Sequence, residues 1–463
     1  MSFYGAVRRM FDEAQGELAP PTGASPWRES ELRADAERIL RAAIDAVDPE
    51  RRTAETVAAQ GRAIPVEGRV WVVGFGRAAA AMARGAHSVL GDRVEGGVLI
   101  VPPATQAYVS PRYDIFRGGH PIPDEASVAG SRAIRQMLRE AEESDVVVCL
   151  VSGGGSALLT LPPEEMPLSD VQTVTRLLVR CGVRPDEMSC VRKHLDALKG
   201  GQLAREAAPA RVLALVLSDV PANPLDIVAS GPAAPDPSRF VDAVAVLKRH
   251  RVYAELPLAA RGWLDRGVCG EVPETPDRGD PLFLRTTSVV VGSGETAARA
   301  ACEAAERMGY DAQLLSTTLT GPGRQAGSFL AETAHVLAAS RAAHGRPLCV
   351  VSAGARSDVG APNGRNQEIA LAAAHGFAGL QSVLVASMAT DGVDDATGTA
   401  GAIVTGGTLG RAARCGHDVA AALERGEAAR VLAELDDRIE SGPTGTHVGD
   451  VQILLLGTAP SVD

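Results

Sequence analysis

WVVGFGRAAAAMA, residues 71–83, runs from an apolar stretch through Gly74 and Gly76 into an alanine-rich segment. A strand, a glycine turn and a helix in that order open a βαβ unit, and Gly74, Gly76 and Ala79 fit the dinucleotide pattern G-x-G-x-x-A. The same grammar repeats along the chain. Strand-like runs lie at 70–75, 96–101, 146–153, 211–220, 287–294, 312–317, 347–354, 382–392 and 451–457, and alanine-rich stretches such as 297–309 and 365–379 separate most of them. Short apolar runs alternating with helices predict an α/β protein whose mostly parallel sheets are covered on both faces.

The chain of 463 residues is too long for one core. Its weakest stretch, RGVCGEVPETPDRGDPLFLR at 266–285, is rich in proline, glycine and charge. The expected division is an extension at 1–30, a Rossmann-like α/β domain at 31–275 and a second α/β domain at 283–463. Within the first of these domains, residues 30–47 carry Leu32, Ala36, Ile39, Leu40, Ala43 and Val47 at helical spacing.

A net charge of −11, with no block of lysine or arginine, argues against nucleic acid or an anionic membrane as partner. The seven cysteines are scattered without C-x-x-C, which suits a reduced, cytoplasmic protein. The nine histidines show no metal-binding spacing. The first residues lack the apolar core of a signal peptide, and no run approaches the roughly 20 apolar residues of a membrane span.

The turn at 74–79 has three readings: a nicotinamide site, a phosphate or carboxylate site, and a plain packing turn. A dinucleotide fold needs an acid at the end of its second strand to hold the ribose. Here that strand ends in Pro102 and Pro103, and Asp92 and Glu95 precede it. An anion facing the helix N–H groups and Arg77 is the better functional reading.

Three further clusters carry chemistry. At 147–159, VVCLVSGGGSALL, Ser152, Gly153, Gly154, Gly155 and Ser156 expose backbone amides and hydroxyls where phosphate oxygens would approach; a tight packing turn is the alternative. At 189–204, SCVRKHLDALKGGQLA, Arg192, Lys193 and Lys199 lie close in sequence. Arg192 and Lys199, two helical turns apart, predict a basic face for a polyanion or for solvent. Asp219 follows the apolar run at 211–218, and Asp391, Asp394 and Asp395 follow that at 382–389. Carboxylates at such strand ends suit Mg²⁺ or a hydroxyl-rich substrate, or simply cap a loop.

In their order these motifs resemble the type 2 glycerate kinases of the MOFRL family. The matching stretches are GGHPIPDEA (118–126), CLVSGGGSALL (149–159), DEMSCVRKHLDALKGGQLA (186–204), LSDVPANPLDIVASGPAAPDP (217–237), VVGSGETAARAA (290–301), GRNQEIALAAA (364–374), DGVDDATGTAGAIV (391–404) and SGPTGTHVGDVQILLLG (441–457). The resemblance implies two α/β domains with the active site in the cleft between them. It implies ATP, Mg²⁺ and phosphate transfer to the 2-hydroxyl of D-glycerate or a related small hydroxy acid. Some members carry the label hydroxypyruvate reductase, which the missing ribose acid opposes.

Under this resemblance the 152–156 loop, Arg192, Lys193 and Lys199 take the nucleotide phosphates. Asp219 and Asp391 take Mg²⁺. Arg77, Asp219 and Arg365 act in catalysis, and His120, Asn366, Glu368 and Asp394 surround the acceptor. A homodimer is compatible with this reading. The chain departs from the family pattern at several points. Arg77 stands for a lysine, Ala353 for a glycine, Ala355 for a glutamate, Asp395 for a glycine and Thr405 for an acid. The loop before Arg365 is also shorter. The departures leave two expectations, a kinase with altered substrate and a binding protein that has lost turnover.

Overall fold

A computed structural model describes residues 29–61, 67–105, 108–344, 346–354, 364–395 and 397–458. Nearly all of the expected 1–30 extension lies outside these residues, as do Ala355 and the shortened loop.

The first sheet holds β1 (Val70–Phe75), β2 (Val94–Val101), β3 (Tyr113–Arg117), β4 (Val146–Ser152), β5 (Arg211–Ser218) and β6 (Thr286–Ser293). Its order is β3-β2-β1-β4-β5-β6, and every pairing is parallel. The chain order reverses between β1 and β4, the place where doubly wound sheets bind ligands. All of β1 and β4 is buried, as expected for central strands with helices on both faces.

The second sheet holds β7 (Asp311–Leu319), β8 (Leu348–Gly354), β9 (Val383–Ala389), β10 (Gly401–Thr405), β11 (Arg438–Ile439) and β12 (Asp450–Leu456), in the order β11-β10-β9-β12-β8-β7. Only β7 and β8 pair in parallel; the other four pairings are antiparallel. The expectation of mostly parallel sheets therefore holds for the first sheet and not for the second. Apolar runs mark strands but carry no direction. The last strand, β12, inserts between β8 and β9, which no local pattern encodes. All nine sequence-predicted strands are present. The three additional ones, β3, β10 and β11, are short, and β3 and β11 mix charged with apolar residues.

The chain changes sheet after β6, so the expected boundary at 276–282 falls in front of the strand that completes the first sheet. The two sheets also share one continuous apolar core, from Leu32 and Val72 to Val351 and Leu384. The helix Glu29–Asp45 sits against the second sheet's layer. Its Asp35 accepts from the Tyr310 hydroxyl at 2.8 Å, and its Arg33 reaches Asp437 at 3.2 Å. Among the described residues no helix is long and apolar enough to cross a membrane.

A satellite of four helices, Leu168–Arg180, Pro185–Lys193, Phe240–Arg249 and Leu258–Val268, packs around its own apolar cluster beside the first sheet. The stretch 189–204 is not one helix. The helix stops at Lys193, and a new one starts at Gln202 after Gly200 and Gly201 adopt φ of +56° and +80°. Those left-handed conformations favour glycine and form the turn that leads into the second helix. Arg192 and Lys199 consequently share no helix face.

Candidate active site

The turn after β1 and the glycine loop after β4 lie side by side, because Phe75 pairs with Val151. They are fastened together. The Arg77 N–H donates to the Gly153 carbonyl at 2.9 Å, and the Ala78 N–H donates to Ser152 Oγ at 3.1 Å. A Cβ on Gly76, which has φ +125°, would lie 2.2 Å from Ser152 Oγ. The first turn thus spends two amides on its neighbour, and Ser152, fully buried, is a strut rather than a phosphate ligand. The G-x-G-x-x-A turn supports the second loop and aims the Arg77 side chain outward. Among the described residues, the amides of Gly154, Gly155 and Ser156 donate no hydrogen bond within the loop or to its surroundings.

Four charged side chains from both sheets meet over this loop. Arg77 Nη1 lies 2.8 Å from Asp391 Oδ2, His447 Nδ1 3.1 Å from the same oxygen, and His447 Nε2 3.4 Å from Asp219 Oδ2. A Cβ on Gly153 would lie 2.4 Å from Asp219 Oδ2 and 2.7 Å from His447 Cδ2, so only glycine fits beneath the pair. His120 closes the other side, with Cδ2 and Nε2 both 3.1 Å from a Cβ position on Gly154. Ser127 holds the His120 turn, since its Oγ takes the Gly119 N–H at 3.1 Å while Asp124 caps the helix Glu125–Arg139. His447 is held from both neighbours: Thr446 Oγ1 donates to the Val47 carbonyl at 2.8 Å, and the Val448 N–H donates to Thr390 Oγ1 at 2.9 Å.

The electrostatics follow from this geometry. Burial works against charge on His447, but Asp219 and Asp391 outweigh it and raise its pKa to about 9. Burial likewise opposes the charges of Asp219 and Asp391, and His447 with Arg77 holds both below the usual carboxylate range. His120 goes the other way. Burial, then Arg77, His447 and Arg192, lowers it to about 4, so it is neutral beside a cationic histidine.

The raised His447 pKa links the proton to stability. The native state binds that proton more tightly, so its contribution is complete below the unfolded value of 6.5 and lost as pH rises through about 9. We expect His447→Asn to cost roughly 2–3 kcal/mol at neutral pH. The gap to wild type should close at more alkaline pH. Melting temperatures of both proteins across that range check this, and a gap that stays constant would remove the imidazolium.

A cleft between the sheets leads from Asp219 past Asn223, Glu295 and Thr317 to Gly354 and Val448. Two comparisons bear on this arrangement. Residues 35–265 match a domain of unknown function (DUF4147), and residues 349–450 match the MOFRL family. The chain is 33% identical over 430 residues to the glycerate 2-kinase of Pyrococcus horikoshii, covering 90% of this chain and 96% of that one. It is 32% identical over 425 residues to the D-glycerate 2-kinase of Thermotoga maritima, covering 90% and 97%.

The chain belongs to the glycerate 2-kinase family.

The crystal structure of the Thermotoga maritima glycerate kinase matches it with a TM-score of 0.80 at 32% identity, covering 92% of this chain and all of that one. An Agrobacterium vitis protein named putative hydroxypyruvate reductase is 33% identical over 440 residues, covering 93% and 96%.

Against the family pattern, the site residues expected from sequence divide into two groups. Arg77, His120, Gly153, Gly154, Asp219 and Asp391 converge at the glycine loop. Arg365, Asn366 and Asp394 form a buried network behind it. Arg365 bonds Asp450, Asn366 Nδ2 donates to Asp394 at 2.9 Å and Asp450 at 3.0 Å, and Ser387 Oγ donates to Asn366 at 2.6 Å. Burial raises the Asp394 pKa. Glu368 pairs with Arg324 at 2.9 Å. Lys193 is spent on Asp226 and Asp236, and Lys199 on Asp196 and the Leu159 carbonyl. These lysines are internal ion pairs and not phosphate ligands, because each is almost fully buried with its acid.

Thr405 pairs with Leu384, at the opposite end of β9 from Asp391, so that departure from the family is remote from the loop. Asp395 closes its own turn, accepting from Thr397 N and Oγ1. Ala353 is a buried β8 residue. His447 was not selected from sequence. The available signal was a histidine set among turn residues directly before an apolar strand, in GTHVGD.

Proposed function

We propose that this chain transfers the γ-phosphate of ATP to the hydroxyl of D-glycerate or a closely related small hydroxy acid. The observation that carries the reading is the convergence, across the cleft, of open loop amides with Arg77, His447 and Asp219. The nucleotide's phosphates reach the amides of Gly154, Gly155 and Ser156. Arg77 and the His447 imidazolium face the charge that spreads over the transferring group. Such transfer depends on positioning and charge stabilisation more than on a strong base. Asp219, held by His447, accepts the late proton from the acceptor hydroxyl.

The residues present do not form a Mg²⁺ site of their own. Asp219 and Asp391 already hold His447 and Arg77. No step is therefore assigned to an ion held by the protein. A nicotinamide reductase, the activity in the Agrobacterium vitis relative's name, is the weaker reading: the first glycine turn has spent its amides, and no acid ends β2.

An ADP-release assay over hydroxy acids, with and without Mg²⁺, tests the reading. Turnover with D-glycerate is expected. No release with any acid, together with NAD(P)H consumption on hydroxypyruvate, would overturn it. In the same assay Arg77→Ala should lose about 2–3 kcal/mol of transition-state stabilisation. Arg77→Lys keeps the charge and should retain most of the rate; equal loss in both variants would show that the guanidinium fork itself is required.

A further inference from the structure

We propose that Arg192, which lines a small recess with Ser156 and Thr160, recognises the acceptor's carboxylate. This rests on the phosphotransferase reading and deepens it.

The first argument is one of elimination among cations. Arg77, Lys193, Lys199 and Arg365 each hold a carboxylate. Among the described residues the Arg192 side chain makes no hydrogen bond or ion pair. Burial is nevertheless strong enough to lower its pKa to about 10, with only the field of Asp196 opposing. Asp196 cannot serve as its partner. Its Oδ2 accepts from Lys199 at 2.5 Å and from the Leu161 N–H at 2.9 Å, and its Oδ1 accepts from the Leu198 N–H at 2.9 Å. Arg192 is half-buried, where a guanidinium without a counter-ion is costly, and a planar carboxylate is the ligand that its two-pronged donor fits best.

The second argument is location. Arg192 ends the helix Pro185–Lys193 of the satellite, and its recess opens against the glycine loop at Ser156. Ser156 Oγ is itself held 2.9 Å from Ser230 Oγ. Neutral His120 sits over Gly154 beside Arg77 and feels the charge of Arg192 as well. An acid held by Arg192 would thus present the hydroxyl next to its carboxylate toward the loop. The opposite wall, Pro123, Val171, Val174 and Leu195, is apolar.

The test compares D-glycerate with its uncharged amide, D-glyceramide, in wild type, Arg192→Met and Arg192→Lys, with melting curves confirming folding. We expect Arg192→Met to raise KM for D-glycerate at least 100-fold while KM for ATP stays within threefold. Turnover of D-glyceramide should be unchanged, erasing the wild-type preference for the acid. Arg192→Lys should recover part of the D-glycerate affinity. A raised KM for ATP with equal losses on both acceptors would overturn the assignment and move Arg192 to the nucleotide. Should the wild type phosphorylate no acid, the kinase reading falls instead. Calorimetric binding of D-glycerate then decides for Arg192: loss in Arg192→Met supports the subsite, and retention overturns it.

Discussion

Arg365→Ala is expected to cost about 3–5 kcal/mol of stability, because it leaves a buried carboxylate without its cation. Arg365 is 1% exposed, and Asp450, its partner, is 5% exposed. Its Nε also donates to the Gly321 carbonyl at 3.3 Å. Removing the guanidinium leaves Asp450 with the amide of Asn366 as its remaining side-chain donor, deep between β8 and β9. A role at the reacting phosphoryl would instead lower turnover in a protein of normal stability. The denaturant midpoint separates the two. Replacing both partners together, Arg365→Met with Asp450→Leu, should recover much of the loss, since a buried pair exchanged for apolar side chains is often neutral. A stable but inactive Arg365→Ala protein would return this arginine to the cleft.

Gly153→Ala is expected to reduce kcat/KM by at least 100-fold. Gly153 is not among the residues with positive φ, so alanine brings no backbone strain there. What it brings is a methyl group 2.4 Å from Asp219 Oδ2, and the carboxylate and His447 must move to admit it. Displacing catalytic groups by about 1 Å costs on the order of 100-fold. Unchanged kinetics would show that the Asp219–His447 pair can shift freely and does not set the geometry of transfer. The neighbouring Gly154, with φ +83°, makes a poorer probe because strain and site would be confounded.

Much of the fold was legible because burial on both faces leaves a plain trace: β1, β4 and β5 are continuous apolar runs bounded by glycine or charge. Strand direction left no such trace. The site was legible where glycine sits at a strand end, as at Gly153 and Gly154, or where an acid follows one, as at Asp219 and Asp391. It was misread where a charged residue turned inward. Lys193, Lys199 and Arg365 look like surface or ligand cations in sequence, and their acids, Asp236, Asp196 and Asp450, stand 43, 3 and 85 positions away. The G-x-G-x-x-A turn was legible as a turn, but its bracing of the next loop depends on the register of β1 against β4. His447 could be assigned only when the two sheets were seen together, because its partners belong to different halves of the chain.

The helix Glu29–Asp45 gives the molecule a particular inheritance. Because the earliest described segment of the chain is tied to Tyr310 and Asp437, a cut between β6 and β7 would free two pieces, each stripped of part of its cover. Neither half could be lent to another protein as a ready-made part, and the pair must be synthesised, folded and passed on as a unit.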